Sequence, residues 1–210
     1  MIINNKNLFY KICRRVRLRF QRWKIKEGAE AKRSIVCNNC LGGVLSHNYN
    51  IQFCSPFVNL WIPIPHYIEI CENIYNLKDF SLSDITPRDN KYPIGLLNGK
   101  WTIHFMHYKT FDEAKNKWMD RINRIDYTKL YFILVETSCT IDDLLSFDKL
   151  PFNKKIALVQ NPHKKIKSTF HVKGYAGGKN GEILWPSHIW GTCLYDQFDW
   201  LNFLDLNNLK

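Results

Sequence analysis

The sequence predicts an α/β protein: a layered fold with a mixed, mostly parallel sheet that contains one hairpin and carries helices on both faces. Short apolar runs of strand length, of which Leu130–Val135 is the clearest, alternate with amphipathic segments of helix length. Asn98-Gly99 separates two further apolar runs, and this dipeptide is the strongest short hairpin signal. The 210 residues are 45% apolar, which is enough for one domain with a sizeable core.

The individual elements follow from periodicity and from capping residues. Thr110 with Glu113 forms a capping box that begins a helix, and Thr140 begins another. In chain order we predict a strand over 34–37, a helix from 41, a helix over 65–77, hairpin strands over 94–97 and 100–108, a helix from 111, a strand over 130–135, a helix over 141–147, strands over 156–159 and 169–172, and a terminal helix over 195–206.

Positive charge is concentrated at the N-terminus. The chain has 30 Lys and Arg against 19 Asp and Glu, and residues 1–33 hold 11 of the basic and only 2 of the acidic side chains. The rest of the chain is therefore nearly neutral, which argues against a folded face that binds nucleic acid. We predict a basic amphipathic arm over residues 1–30 and a single α/β domain over residues 31–210.

The arm has an apolar stripe. Its members recur every three or four residues, as one face of a helix requires: Phe9, Ile12, Val16, Phe20 and Trp23. Lys and Arg occupy most of the remaining circumference. Such a helix binds an anionic membrane surface, here through residues 9–26. The alternatives are that the stripe packs on the domain, or that the basic residues bind nucleic acid.

The sequence also predicts the compartment. The longest apolar run is far shorter than the about 18 residues of a membrane span, and arginines interrupt the place where a signal peptide would need an apolar region. Seven irregularly spaced cysteines do not indicate a secreted disulfide framework. We expect a cytoplasmic protein with reduced thiols, held peripherally on the inner membrane face.

Cys40 is the candidate nucleophile. It follows a strand and comes at the start of a helix, where the helix dipole lowers the pKa of a thiol and so favours the reactive thiolate. Asn39 and the amides of Gly42 and Gly43 are candidate oxyanion donors. Cys37 belongs to the strand and is expected in the core. The two thiols have no second ligand pair, so no metal site is predicted. The alternative is that Cys40 is a buried packing residue.

Two histidines and a basic stripe complete the candidate site. His107 comes at the end of a predicted strand and is favoured over His104 as the base, since residues three apart on a strand lie on opposite faces. Lys117, Arg121 and Arg124 share one side of the following helix and could hold the phosphate of a donor. The alternative for these three is that they are solvated surface charges.

Several segments together resemble a bacterial family of unknown biochemical function that is often labelled exopolysaccharide or capsule biosynthesis protein. The resemblance covers about residues 34–173 and leaves out the arm. In chain order the matching segments are 34–43 (SIVCNNCLGG), Ser55-Pro56, 92–96 (YPIGL), 103–108 (IHFMHY), Glu113-Ala114, Lys117-Trp118, Arg121 and Arg124. The family's first motif is similar to Ile-Ile-Ser-Asn-Asn-Cys-Trp-Gly, so Cys40 matches it, whereas Cys37 replaces its serine and Leu41 its tryptophan.

The resemblance implies a role in surface glycan assembly and adds Asn38 and Ser55 to the candidate substrate-binding residues. A weaker likeness, through Asn39-Cys40, is to a capsule acetyltransferase family in which a strand ends in Gly-Asn-Cys-Gln. We therefore predict a transferase that moves an acyl group onto a sugar or glycan acceptor, with a coenzyme A thioester or a nucleotide sugar as the donor. The alternatives are a glycosyltransferase and a non-catalytic, membrane-peripheral assembly or regulatory protein of the same pathway.

Overall fold

A computed structural model describes residues 8–25, 32–178 and 181–207 of the chain. The described helices are α1 (Leu8–Trp23), α2 (Leu41–Tyr49), α3 (Ile64–Glu72), α4 (Phe111–Ile122), α5 (Ile141–Lys149) and α6 (Trp200–Phe203). The strands are β1 (Ser34–Cys37), β2 (Leu82–Asp84), β3 (Ile94–Leu97), β4 (Trp101–His104), β5 (Leu130–Val135), β6 (Lys155–Val159), β7 (Thr169–His171), β8 (Pro186–His188) and β9 (Thr192–Cys193).

The central sheet has four parallel strands in the order β1-β5-β6-β7. Every residue of β5 is buried, and alternate side chains contribute to two different cores. Phe132 packs in the core that includes Trp118 of α4, and Ile133 packs in the core that includes Leu41 of α2. Helices therefore cover both faces of the sheet, which confirms the predicted α/β layered fold.

The predicted hairpin is present, but it lies in a sheet of its own. Strands β3 and β4 pair antiparallel around Asn98 and Gly99, whose φ angles of 52° and 66° are those of a tight hairpin turn. The hairpin pairs with β2 in a three-stranded antiparallel sheet and does not extend the parallel one. Strand β4 ends at His104, four residues before the predicted end at 108, because the chain turns at Met106 and His107.

Helix α4 begins where its capping residue predicts. The Thr110 hydroxyl accepts a hydrogen bond from the Glu113 amide at 3.2 Å. The Ala114, Trp118 and Ile122 side chains on the predicted apolar stripe are buried. Thr140 caps α5 in the same way, and the Asp143 carboxylate in turn accepts a hydrogen bond from the Thr140 amide at 2.9 Å.

The long terminal helix predicted over 195–206 is wrong. The segment forms a single 3-10 turn, Leu194–Gln197, and then the four-residue helix α6. Phe198 is extended between them, and the Asp199 carboxylate caps α6 by accepting a bond from the Asn202 amide at 3.2 Å. A continuous helix is interrupted here because the Trp200 indole folds back and donates to the Tyr195 carbonyl at 2.8 Å.

Helix α1 docks on the domain through its polar side. Tyr10 is buried, and its hydroxyl lies 3.1 Å from the Cys193 sulfur. The Arg14 guanidinium contacts the Asp196 carboxylate, and Arg22 donates to the Asn48 carbonyl at 2.7 Å. The apolar stripe faces outward, so the alternative that it packs on the domain is wrong. The predicted boundary at residue 30 lies outside the described residues.

Within the described ranges, no helix has the length and apolar character required to cross a membrane.

Candidate active site

A pocket of about 250 Å³ opens at the carboxyl end of β1. It brings together segments that are distant in the sequence: the β1–α2 junction, the residues before α3, the turn after β4 and the segment 181–184. Its lining consists of Asn39, Cys40, Leu60, Trp61, Met106, His107, Gly181 and Leu184. Three of the four predicted catalytic residues, Asn39, Cys40 and His107, therefore line one pocket, beyond the end of a parallel strand where α/β proteins commonly bind ligands.

The junction between β1 and α2 positions Cys40. The strand ends at Cys37, and Cys40 is the residue that precedes the first turn of α2. The Asn39 side-chain oxygen accepts a hydrogen bond from the Leu41 amide at 2.9 Å, which holds the turn between strand and helix. The Cys40 sulfur lies 3.7 Å from the Leu60 carbonyl oxygen and is half-buried.

Burial, and not the helix dipole, dominates the electrostatics of Cys40. Removal from water raises the pKa of the Cys40 thiol to about 11, so the predicted lowering of this pKa is wrong. The amides in the first turn of α2 are engaged elsewhere. The Leu41 amide donates to the Asn39 side-chain oxygen, and the Gly42 amide donates to the Cys37 sulfur. Cys40 is therefore a neutral thiol at physiological pH in the ligand-free protein.

Cys37 is a core residue, as predicted. Its side chain is fully buried, and burial raises the pKa of its thiol to about 12. The Cys37 thiol donates a weak hydrogen bond to the Asn39 side-chain oxygen at 3.4 Å. All seven cysteines are free thiols.

The raised pKa predicts how Cys40 reacts. The folded chain holds the thiol proton more tightly than the unfolded chain does, so alkylation by iodoacetamide should increase with pH up to a midpoint of about 11. Near neutral pH the rate should be roughly 10²-fold below that of the same cysteine in the urea-unfolded chain, where the thiol pKa is about 8.5. Site-resolved mass spectrometry measures both rates. A midpoint at or below that of the unfolded chain would contradict the burial argument.

The two candidate histidines have different environments. His107 is exposed, lies on the turn after β4 and lines the pocket with Cys40. The His104 ring packs at a tilt against the Trp61 ring, with centroids 4.6 Å apart, and burial together with nearby His66 lowers the pKa of His104. Strand β4 ends at His104, so the argument that residues three apart on a strand lie on opposite faces does not apply to His107. The turn at Met106 and His107 sets the position of the His107 side chain.

Three predicted substrate contacts have structural roles. The Asn38 side chain is buried and bonds both the amide and the carbonyl of Val135, at 2.8 and 3.0 Å, which ties the end of β1 to β5. The Ser55 hydroxyl is buried and accepts a bond from the Phe57 amide at 3.1 Å. A Cβ on Gly42 would lie 2.9 Å from the Cys37 Cβ, so this glycine allows close packing of α2 on β1.

Gly43 also serves packing. A Cβ at Gly43 would lie 3.1 Å from a Val58 methyl group, tighter than ordinary van der Waals contact. Neither Gly42 nor Gly43 belongs to the lining of the pocket. The oxyanion role predicted for their amides has no support from this geometry.

The basic stripe of α4 lies apart from the pocket. The Arg121 guanidinium donates to the Tyr108 hydroxyl at 2.7 Å and lies over the Phe53 ring at 5.4 Å. Lys117 is exposed, and Arg124 follows the end of α4, near Cys54. The structure does not bring these three basic residues together with Cys40, which favours the alternative that they are surface charges.

Sequence reasoning missed Trp61 in the lining of the pocket and Glu136 at the carboxyl edge of the parallel sheet. Trp61 lines the pocket and pairs with His104 through backbone hydrogen bonds of 2.8 Å, and no local motif indicates it. Glu136 follows β5, is buried and accepts a bond from the Gln160 amide at 2.6 Å. Its place directly after a parallel strand was a usable signal, since the carboxyl ends of parallel strands share one edge of the sheet.

The described part of the chain contains no group of three or more His, Cys, Asp or Glu side chains placed to bind a metal ion.

Fold and pocket together define an α/β protein with a thiol-containing pocket at the carboxyl edge of a four-stranded parallel sheet. The chain belongs to the family described as "Domain of unknown function (DUF1919)", which it matches over residues 3–205. It is similar to an uncharacterised protein of Haemophilus influenzae, with 31% identity over 177 residues that cover 82% of this chain and 84% of that protein. The family match includes α1, beyond the segments that carried the resemblance in the sequence.

Proposed function

We propose that this protein is a group transferase of cell-surface polysaccharide biosynthesis that moves an acyl group onto a sugar through Cys40. The observation that carries the proposal is that Cys40 and His107, from distant parts of the chain, line the same pocket. A nucleophile and a base that line the same concave site are the minimum that covalent group transfer requires.

The lining of the pocket suits a small acyl group. Leu60, Trp61, Met106 and Leu184 supply apolar surface, and Asn39, Cys40 and His107 supply the polar groups. Its volume of about 250 Å³ is below the roughly 300–1,000 Å³ of pockets that enclose a whole drug-sized ligand. The pocket therefore fits the acyl group and thioester of a donor, and the rest of the donor would lie outside.

The reaction would proceed in two steps. The Cys40 sulfur attacks the acyl carbon of a coenzyme A thioester, the bond from that carbon to the coenzyme A sulfur breaks, and the coenzyme A thiolate receives the Cys40 proton through His107. A sugar hydroxyl then attacks the acyl-cysteine, its oxygen forms the new ester bond, and the carbon–sulfur bond to Cys40 breaks. The hydroxyl proton passes through His107 back to the Cys40 sulfur.

His107 has a specific task in this scheme. Because burial keeps Cys40 protonated, the thiol must lose its proton as it attacks the donor, and a base in the same pocket can accept it. A donor that fills the pocket also excludes the remaining water, which strengthens each polar contact around the reacting carbon.

The setting of the reaction is part of the proposal. Its link to exopolysaccharide or capsule biosynthesis rests on the resemblance of segments 34–124. Peripheral attachment to the inner membrane face is supported by α1, which carries six basic residues and no acidic ones and turns its apolar stripe outward. A nucleotide-sugar donor, as a glycosyltransferase would use, remains the alternative chemistry.

The test is covalent capture of the acyl-enzyme. Purified protein is incubated with acetyl coenzyme A, and intact and peptide mass spectrometry should show one acetyl group on Cys40. Cys40→Ser should abolish the adduct, and His107→Ala should slow its formation by about 10²-fold or more. Cys139→Ser is the matched control, because Cys139 is also half-buried and burial raises its thiol pKa to about 12.

Other outcomes separate the alternatives. An adduct that survives Cys40→Ser would contradict the role of Cys40. Absence of any adduct, together with hydrolysis of a nucleotide sugar, would favour a glycosyltransferase. The second candidate is a non-catalytic assembly protein, which the neutral Cys40 thiol favours; it predicts neither an adduct nor hydrolysis.

A further inference from the structure

Helix α1 exposes a continuous apolar face. Six large apolar side chains of this 16-residue helix are exposed, from 47% for Phe9 to 77% for Trp23. The others are Ile12, Val16 and Phe20 of the stripe, and Leu8 beside it. A contiguous apolar surface of this kind is rare on monomeric proteins and marks a contact with a membrane or a partner.

The opposite side of α1 is held by polar contacts. Arg14 pairs with Asp196 and donates to the Gly191 carbonyl at 2.9 Å, and Tyr10 lies against Cys193. A surface helix ordinarily turns its apolar face to the core and its charges to water. Here the orientation is reversed, and the buried Arg14–Asp196 pair opposes any rotation that would bring the stripe inward.

A second element extends the same surface. The turn between β8 and β9 presents Ile189 and Trp190, and the Trp190 side chain is 60% exposed. The Phe9 and Trp190 rings meet edge to face, with centroids 5.7 Å apart. Gly191 packs so closely on the α1 backbone that a Cβ there would lie 2.6 Å from the Arg14 Cα. The β8–β9 turn and α1 are therefore packed together and form one continuous apolar surface.

Charge identifies the occupant of this surface. Lys11, Arg15 and Arg19 are exposed on α1, and no acidic residue lies within the helix. The Lys24 ammonium sits over the Phe20 ring at 4.6 Å, beside the stripe. Two copies of the chain meeting through this face would bring Lys11, Arg15 and Arg19 of both α1 helices close together, which opposes self-association. An anionic bilayer complements the charges and accommodates the aromatic rings at its interface.

We infer that α1 and the β8–β9 turn form a single membrane-binding surface, in which Trp190 enters the interface of an anionic phospholipid bilayer beside the α1 stripe. The inference deepens the proposed function by naming the lipid surface, and it rests on that proposal only for the place of action. It adds a second anchor, distant in the sequence, to the amphipathic arm.

The experiment is co-sedimentation of the full chain with vesicles of phosphatidylcholine, alone or mixed with phosphatidylglycerol. We expect binding to the mixed vesicles and little to phosphatidylcholine alone. Ile12→Ser and Trp190→Ser should each weaken binding roughly tenfold, because each removes a large apolar group from the interface. Arg15→Gln and Arg19→Gln should each weaken it about fivefold.

Matched controls lie on the opposite part of the molecule. Ile141 is 51% exposed, which matches the exposure of Ile12, and Tyr75 is 62% exposed, which matches that of Trp190. Neither residue belongs to the apolar surface formed by α1 and the β8–β9 turn. Ile141→Ser and Tyr75→Ser should leave binding unchanged. Circular dichroism and thermal unfolding of each variant establish that it is folded.

Several results would overturn the inference. If Ile12→Ser weakens binding and Trp190→Ser does not, α1 binds alone and the joint surface is wrong. If no vesicle binds, and Ile12→Ser dissociates a dimer seen by light scattering, the surface is a protein interface. Acetylation of Cys40 measured on the same variants without vesicles separates the two proposals: it should be unchanged when vesicle binding is lost.

Discussion

Replacing Asp196 with alanine should weaken the docking of α1 on the domain by about 3–5 kcal/mol, the range typical when one partner of a buried ion pair is removed. The Asp196 side chain is only 1% exposed, contacts Arg14 and accepts a bond from the Cys193 amide at 2.7 Å. Alanine would leave the Arg14 charge, 13% exposed, without its counterion. Hydrogen-exchange mass spectrometry should show the α1 amides exchanging roughly 10²- to 4 × 10³-fold faster.

A second substitution tests the same docking contact from the other side. Gly191 has a φ of +77° and no room for a Cβ beside Arg14, so Gly191→Ala should also release α1. Asp89→Ala, at an exposed turn, is the control and should leave α1 protected. Unchanged exchange in both Asp196→Ala and Gly191→Ala would show that these contacts do not hold the helix.

Replacing Asn38 with leucine should lower the free energy of unfolding by about 2–6 kcal/mol. The leucine has the same branched shape but leaves the amide and the carbonyl of Val135 without their buried partner, and each unsatisfied group costs about 1–3 kcal/mol. The measurement is urea denaturation followed by circular dichroism.

The control for Asn38 is Asn116→Ala on the exposed side of α4, which should change stability by less than about 0.5 kcal/mol. A loss below about 1 kcal/mol in Asn38→Leu would contradict the bridging role. The predicted loss would show that Asn38, which sequence reasoning assigned to substrate binding, serves to join the end of β1 to β5.

Much of the fold was predictable because its signals are local. The apolar run of β5 and the capping threonines of α4 and α5 each specify an element within a few residues. The terminal segment was not predictable in this way. There the side chain of Trp200 bonds back to Tyr195, and that contact outweighs the helical pattern.

The candidate site was predictable in composition and less so in chemistry. Cys40 could be selected because a strand, small polar residues and a helix follow one another around it. His107 could be selected because it comes at the end of a predicted strand, before the cap of the next helix. The pKa of Cys40 could not be predicted, because it depends on the water excluded by Leu60, Trp61 and their neighbours. Those residues lie in other segments of the chain, and the sequence around Cys40 does not indicate that these segments pack against it.

Helix α1 separates the two kinds of information most clearly. Its amphipathic character follows from the spacing of side chains along sixteen residues, and any helix with that spacing has the same two faces. Which face meets the domain depends on buried partners almost two hundred residues away, Asp196 and Cys193, since a docked arginine requires a carboxylate on the opposing surface. Periodicity is a property of neighbours in the chain, whereas the pairing of buried polar groups is a property of the packed molecule.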